Sequence, residues 1–161
     1  MFLTEAQERE LQSALKVARI LALAMGFGGP AAYFVVYGLA VLEGHWERFF
    51  LGLADVPWQN PVVLALLVVS IGTLAGAFLL PALLGASQAH LPPLAALRTR
   101  SIISYALLEA VSIYGLVLGF VAGPSAASLS LLLMLVPPTL SATLWPREQA
   151  WRDTCNRTPH A

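Results

Sequence analysis

Residues 101–122 read SIISYALLEAVSIYGLVLGFVA, and this stretch decides what kind of fold the chain can adopt. Its one charged residue is Glu109. A helix needs roughly 20 apolar residues to cross a hydrocarbon core about 30 Å thick. The stretch therefore predicts a membrane-spanning helix that carries a single carboxyl near its middle.

The composition of the whole chain agrees with this reading. Of 161 residues, 58% are hydrophobic and 11% are charged, whereas a soluble domain carries about 25% charged residues. Nine basic residues balance nine acidic ones, so no basic surface is available for nucleic acid. The only cysteine, Cys155, excludes an intramolecular disulfide and a cysteine-based metal cluster. The chain is predicted to be an integral membrane protein that contacts the lipid bilayer and no nucleic acid.

Three further apolar runs flank the opening stretch. The predicted spans cover residues 20–42, 62–84, 101–122 and 126–144. The runs are continuously apolar and lack the alternation of a barrel strand, so their backbone groups are best satisfied within helices. The predicted fold class is all-α, an integral membrane bundle of four helices.

The basic residues predict the orientation of this bundle. Eight of the nine fall before the first span, in the loop at residues 85–100, or after the last span; they are Arg9, Lys16, Arg19, Arg98, Arg100, Arg147, Arg152 and Arg157. Four crossings put these three regions on one side, and the other side holds only Arg48. Because basic loops face the cytoplasm, both termini are predicted to be cytoplasmic, in a cell's inner (cytoplasmic) membrane.

The two ends of the chain are more polar than the spans. Residues 1–19 predict an amphipathic helix, opened by a capping box at Thr4 and Gln7. We expect this helix to lie on the membrane surface as a lead-in to the first span, and a docking helix for a cytoplasmic partner is the alternative. Residues 145–161 are predicted to form a polar cytoplasmic tail.

The loop after the first span contains Glu43, His45 and Glu47. Spacings of two and four residues turn the middle side chain away from the face that the outer two share on a helix. No second ligand cluster accompanies them, so the sequence predicts neither a metal site nor a cofactor.

Glu109 is the residue that most needs an explanation. An ionised side chain at the middle of a bilayer costs about 2.5–3.5 kcal/mol on insertion scales, which favours the neutral, protonated carboxyl. Helical spacing puts Ser101, Tyr105 and Ser112 on the same face as Glu109. A titrating group with hydroxyls around it is what a proton-binding helix needs.

A structural role for Glu109 is equally open. The carboxyl could hydrogen-bond a neighbouring helix, with Ser70 and Thr73 of the second span as candidate partners, a bond that contributes about 0.6–2 kcal/mol. Two pairs of small residues predict close packing of the second and third spans. They are Gly72 with Gly76 and Gly115 with Gly119.

Proline also interrupts two of the spans. Gly28-Gly29-Pro30 lies inside the first, and Pro137-Pro138 lies inside the fourth. Because proline cannot donate a helical hydrogen bond, we expect kinks at both places, formed for packing.

Residues 106–119, ALLEAVSIYGLVLG, preceded by Arg98, resemble the outer helix of the ATP synthase c subunit, the proteolipid of rotary ATPases. Residues 70–76, SIGTLAG, resemble a thinned form of that family's glycine-rich inner helix. The resemblance implies that Glu109 is the proton-binding carboxylate. It also implies that Tyr114 stabilises the protonated form of the site.

The resemblance covers residues 70–119 and departs from the family pattern at several points. Leu80 and Pro81 stand where ring packing requires small residues, and the family's Arg-Gln-Pro loop is absent. Two further spans flank the hairpin. The resemblance thus implies a diverged four-span protein that is not an ordinary rotor subunit.

Two functional hypotheses follow. The first is a subunit that binds or translocates protons through Glu109, with Tyr105, Ser112 and Tyr114 shaping the site. The second is a non-catalytic structural or assembly subunit in which Glu109 anchors two helices. Either would associate with itself or with other membrane subunits. No nucleophile–base arrangement or phosphate loop is present, so the sequence predicts that the protein is not an enzyme.

Overall fold

The computed structural model describes residues 4–43, 56–87 and 92–157, and every regular element in these ranges is a helix. The α-helices are α1 (Glu5–Leu21), α2 (Gly29–Glu43), α3 (Pro61–Ser87), α4 (Pro93–Ala122), α5 (Ala127–Thr143) and α6 (Glu148–Arg157). A π-helical segment, Ala22–Gly28, joins α1 to α2, and a 3₁₀ turn, Gly123–Ala126, joins α4 to α5. The all-α prediction is confirmed. The loop residues His45 and Glu47 lie outside the described residues.

Among the residues that the structure describes, three helical stretches are long and apolar enough to cross a membrane: Glu5–Glu43, Pro61–Leu84 and Pro93–Thr143. The third reverses direction at Gly123, whose φ of +64° is rarely adopted by residues with a Cβ atom. It therefore supplies two helices, α4 and α5, and α5 alone is about 26 Å long at 1.5 Å per residue. The protein is a multi-pass helical bundle, and a full crossing by α5 stays a prediction.

The first helix runs through the predicted boundary at residue 19 without a break. Inside it, the Gly29 N–H bonds to the Ala24 carbonyl, five residues earlier, which widens the turn. Pro30, the next residue, has no N–H to donate, so the regular hydrogen-bond ladder cannot continue through this point. The Gly-Gly-Pro sequence thus produces a π-helical turn in a continuous helix. We call α1, the π-helical segment and α2 together helix 1.

Helix α4 is the centre of the bundle. Gly26 of helix 1 lies against Tyr105 of α4, and Tyr37 lies against Gly119, so helix 1 and α4 run parallel. On another side, the Ser130 hydroxyl donates to the Gly115 carbonyl at 2.6 Å, and the Tyr105 hydroxyl donates to the Leu144 carbonyl at 2.9 Å, so α5 runs antiparallel to α4.

Helix α3 packs on a third side of α4. The Ser104 hydroxyl donates to the Ala77 carbonyl at 2.9 Å. Nearer the other end, Val63 is buried in one cluster with Val111 and Leu118, so α3 is also antiparallel to α4. Helices α3 and α5 therefore both run antiparallel to α4, whereas helix 1 runs parallel to it. The end of the bundle where α1 begins and α5 finishes is called the termini end below.

The two ends of the chain pack together at the termini end. Leu11, Leu15 and Ala18 of α1 are fully buried in a cluster with Trp151 of α6. The capping box predicted at Thr4 is present. The apolar face of α1 is covered by α6 and by the start of α4, and the expected position of α1 on the membrane surface stays a prediction. We call this α1–α6 pair the termini clasp.

Candidate functional site

The carboxyl of Glu109 faces helix 1. Its Oε1 accepts a hydrogen bond from the Tyr33 hydroxyl at 3.1 Å. It also lies directly against Gly29, where an added Cβ would stand 2.7 Å from Oε1. The partners expected from the second span are not used, because α3 packs on a different side of α4. The Ser70 hydroxyl instead donates to the Leu66 carbonyl of its own helix at 2.7 Å.

Helix 1 meets Glu109 with residues from the first turns of α2. Gly29 and Tyr33 are four residues apart and lie on one face, as neighbours on an α-helix do. Gly29 has no side chain, so the carboxyl comes close to the backbone of helix 1, and Tyr33 lies one turn further along. The glycine and the tyrosine together form a small recess for one carboxyl.

One turn nearer the termini end, a second group of polar side chains meets helix 1. A Cβ added at Gly26 would stand 2.6 Å from the Ser141 hydroxyl and 3.6 Å from the Tyr105 ring. Tyr105 is buried, and its hydroxyl donates to the Leu144 carbonyl at 2.9 Å. Tyr105 therefore shares the buried face of Glu109, but its hydroxyl bonds to the end of α5.

The remaining predicted site residues, Ser112 and Tyr114, do not reach the carboxyl of Glu109. Ser112 is fully buried, and its hydroxyl has no hydrogen-bond partner among the described residues. Tyr114 follows Glu109 by five residues, which rotates it about 140° around the helix axis. Within the described ranges, the only side chain that hydrogen-bonds the carboxyl is that of Tyr33.

The glycine pairs behave differently from each other. A Cβ at Gly115 would stand 2.9 Å from the Ser130 carbonyl oxygen, and one at Gly119 would collide with the Tyr37 ring. These two glycines therefore let α5 and helix 1 approach α4. Gly72 has no atom within 4 Å of an added Cβ, and the nearest to one at Gly76 is 3.6 Å away. The predicted glycine-mediated packing between the second and third spans is wrong, because aliphatic side chains fill that contact.

The chemistry open to this site is that of one carboxyl and one hydroxyl donor. No group of three or more histidine, cysteine, aspartate or glutamate side chains that could hold a metal ion occurs in residues 4–43, 56–87 and 92–157. A single carboxyl between helices can bind and release a proton, or it can join the helices by its hydrogen bond.

The sequence interpretation missed Tyr33. The signal was present, because Gly26, Gly29, Tyr33 and Tyr37 recur at spacings of three and four residues and so share one face of the first span. Gly28-Gly29-Pro30 was interpreted as a packing kink, and the polar side chain one turn later was not connected with it.

Comparisons with known proteins give no relative for the chain. No protein-family model matches it, and no curated protein or solved structure is detectably similar to it. The likeness to the proteolipid helix rests on the residues of α4 and α3 alone.

Proposed function

We propose that the protein is a membrane subunit that binds a proton reversibly at Glu109. The observation that carries the proposal is the Tyr33–Glu109 hydrogen bond, which joins an otherwise isolated carboxyl to a neutral donor. Glu109 lies about 24 Å along α4 from Pro93 and about 20 Å from Ala122, at 1.5 Å per residue. That depth puts the carboxyl well inside the apolar part of the bundle.

The recess suits both protonation states of the carboxyl. In the neutral acid, the carbonyl oxygen accepts the Tyr33 hydrogen bond. In the carboxylate, the same bond becomes charge-assisted and stronger. Tyr33 can therefore stabilise the ionised form without a second charge in the membrane, while Gly29 leaves room for the carboxyl. Glu109 is half-buried, so part of the residue stays accessible to a small reagent.

The proposal includes a placement in the membrane. The termini end carries Arg19, Arg98, Arg100 and Arg147 near the ends of the apolar helices. The bias of basic residues towards the cytoplasm supports cytoplasmic termini in the inner membrane of a cell. A four-span arrangement, with α5 as the last crossing, fits the antiparallel pairing of α4 with α5.

A second candidate function is supported by the same hydrogen bond. The Tyr33–Glu109 pair ties helix 1 to α4, and bonds of this kind contribute about 0.6–2 kcal/mol to packing in membranes. In that case the protein is a structural or assembly subunit that associates with itself or with other membrane subunits. The two functions differ in whether Glu109 exchanges a proton.

Carbodiimide labelling of Glu109 in liposomes, located by peptide mass spectrometry, distinguishes these functions. The reagent attacks a protonated carboxyl that is accessible from lipid. We expect labelling of the α4 peptide to fall as the pH rises from about pH 5 to about pH 9. Glu109→Gln should remove the label while the protein stays folded.

Two tyrosine variants provide the matched comparison. Tyr33→Phe should shift the pH profile of labelling, because the ionised form loses its only donor among the described residues. Tyr114→Phe should leave the profile unchanged, since Tyr114 lies on another face of α4. Folded protein that shows no labelling across this pH range would contradict the proton-binding role and favour the structural one.

A further inference from the structure

An open cavity of about 300 Å³ lies at the termini end, between the first turns of the apolar part of α4, the end of α5 and the start of α6. Its lining includes Ser101, Thr143, Trp145, Arg147 and Trp151. The cavity is about 12 Å along α4 from Glu109, measured from Ser101 at 1.5 Å per residue, so it is separate from the recess of Glu109.

The cavity is at the level where lipid headgroups meet the protein. Ser101 begins the apolar stretch of α4, and Thr143 ends α5. Two tryptophans, Trp145 and Trp151, line its wall, and tryptophan is enriched at membrane–water interfaces because its ring is amphipathic. An occupant of the cavity would have its polar part beside α6 and its apolar part along α4 and α5.

Three arginines lie in the lining of this cavity or next to one of its lining residues. Arg147 lines it and is exposed. Arg19 reaches the wall, since its Nε lies 3.5 Å from the Pro146 carbonyl oxygen. Arg100 directly precedes Ser101, and its Nε is buried without a hydrogen-bond partner among the described residues. None of the three forms an ion pair with a carboxylate in the described ranges.

Two carboxylates at the termini end bind another arginine. Glu8 and Glu148 both bind Arg152 in the termini clasp, at 2.6 and 2.9 Å. No ion pair in the described ranges therefore neutralises Arg19, Arg100 or Arg147. A guanidinium is suited to phosphate because its planar N–H groups match two phosphate oxygens at once.

We propose that this cavity binds the phosphate of an anionic phospholipid headgroup. Basic pockets on the cytoplasmic side of membrane helices suit such headgroups by charge, and this cavity adds an aromatic wall at the same level. The inference shares with the proposed function only the placement in the membrane and does not depend on proton exchange at Glu109.

Quenching of tryptophan fluorescence by brominated lipids tests the proposal, because Trp145 and Trp151 line the cavity. The protein is reconstituted in phosphatidylcholine vesicles that contain the same fraction of either brominated phosphatidylglycerol or brominated phosphatidylcholine. We expect stronger quenching by the anionic lipid. Each of Arg147→Gln and Arg100→Gln should lower the preference for that lipid about five-fold.

Arg98→Gln is the matched control, since Arg98 is exposed on the same turn of α4 and, unlike Arg100, is not adjacent to a residue that lines the cavity. It should keep the preference, and Arg147→Lys should keep most of it because the charge is retained. Equal quenching by the two lipids would overturn the proposal, and so would a preference that survives the double variant R147Q/R100Q. Displacement of the anionic lipid by inorganic phosphate would also overturn it, in favour of a site for free phosphate.

Discussion

The two faces of α4 show that the same sequence pattern can have two different structural outcomes. On the face towards α5 and helix 1, Ser130 packs directly against Gly115, and the Tyr37 ring packs directly against Gly119. On the side of α4 where α3 packs, Gly72 of α3 is exposed and has no atom within 4 Å of an added Cβ. Both glycine pairs have the spacing of close-packed membrane helices. A glycine permits close approach, but the approach occurs only where a partner helix presents a group that fills the gap.

The burial of the helices follows the same division. In the most apolar 18 residues of Pro61–Leu84, 17% of the residues are buried inside the structure. The corresponding share for Pro93–Thr143 is 44%. Helix α3 exposes large side chains along its length, Val68 at 67% and Leu83 at 69% among them. In a membrane these side chains face lipid or another protein. The α4–α5–helix 1 side is therefore the internal core, and α3 is peripheral.

The largest expected effect is the difference in stability between alanine substitutions at Gly119 and at Gly72. Gly119→Ala should lower the free energy of unfolding by about 1–3 kcal/mol or more, because the methyl group meets the Tyr37 ring and the Ser130 hydroxyl. Gly72→Ala should be neutral, or stabilising by up to about 1 kcal/mol through helix propensity. Denaturant unfolding in detergent micelles measures both variants. Equal destabilisation by the two would remove the distinction between the faces.

A smaller and more local effect is expected in helix 1. Gly29→Ala puts a methyl group 2.7 Å from Oε1 of Glu109, so the carboxyl must move and its bond to Tyr33 weakens. We expect a loss of about 0.6–1.7 kcal/mol together with a changed pH profile of carbodiimide labelling. Gly28→Ala is the control, since Gly28 is exposed and its nearest neighbour is the Leu23 carbonyl at 3.4 Å. An unaltered labelling profile in Gly29→Ala would argue against the recess.

The serine hydroxyl bonds on the two sides of α4 should also differ in strength, and the bond towards α5 should contribute more to stability than the bond towards α3. Ser130→Ala removes a fully buried bond to the Gly115 carbonyl, whereas Ser104→Ala removes a half-buried bond to the Ala77 carbonyl. We expect both losses to be near 0.6 kcal/mol, with Ser130→Ala the larger. Thermal unfolding of the two variants in one detergent is the measurement. A larger loss for Ser104→Ala would show that α3 is held more firmly than its burial indicates.

The smallest expected effect lies outside the spans, in the termini clasp. Hydrogen bonds from Arg152 lower the pKa of Glu8 and of Glu148 below the ordinary value of 4.5. Because these pKa values are lowered on folding, the stabilisation is present above pH 4.5 and is lost as the pH falls through the folded values. The protection of the α1 and α6 amides against hydrogen exchange, taken relative to the intrinsic rate at each pH, should therefore fall on acidification below pH 4.5. In Arg152→Gln this protection should already be lowered at neutral pH and change little on acidification.

Much of this fold could be predicted from the sequence for simple physical reasons. Long apolar runs must satisfy their backbone hydrogen bonds internally, so the helices follow from hydropathy alone. Glu109 stands out because a charge inside such a run is costly. The helical period also put Tyr105 and Ser112 on the face of Glu109, and both are buried there.

The neighbours of that face could not be obtained in the same way. In a membrane helix, the side towards lipid and the side towards protein are both apolar, so hydropathy does not tell which faces are buried. The chain order suggested α3 as the partner of Glu109, because α3 precedes α4 directly. Helix 1 takes that place because Gly29 has no side chain and admits the carboxyl, and Tyr33 then lies within hydrogen-bond distance.

By itself, the sequence determined an all-helical chain with apolar spans, one carboxyl deep in the third span and basic residues gathered at one end. These features depend on the period and composition of single segments. Only the tertiary structure decided that Tyr33 bonds Glu109, that Gly119 rather than Gly72 makes a close contact, and that α6 covers α1. Each of these depends on which helices become neighbours, which is decided by shape complementarity between segments far apart in the chain.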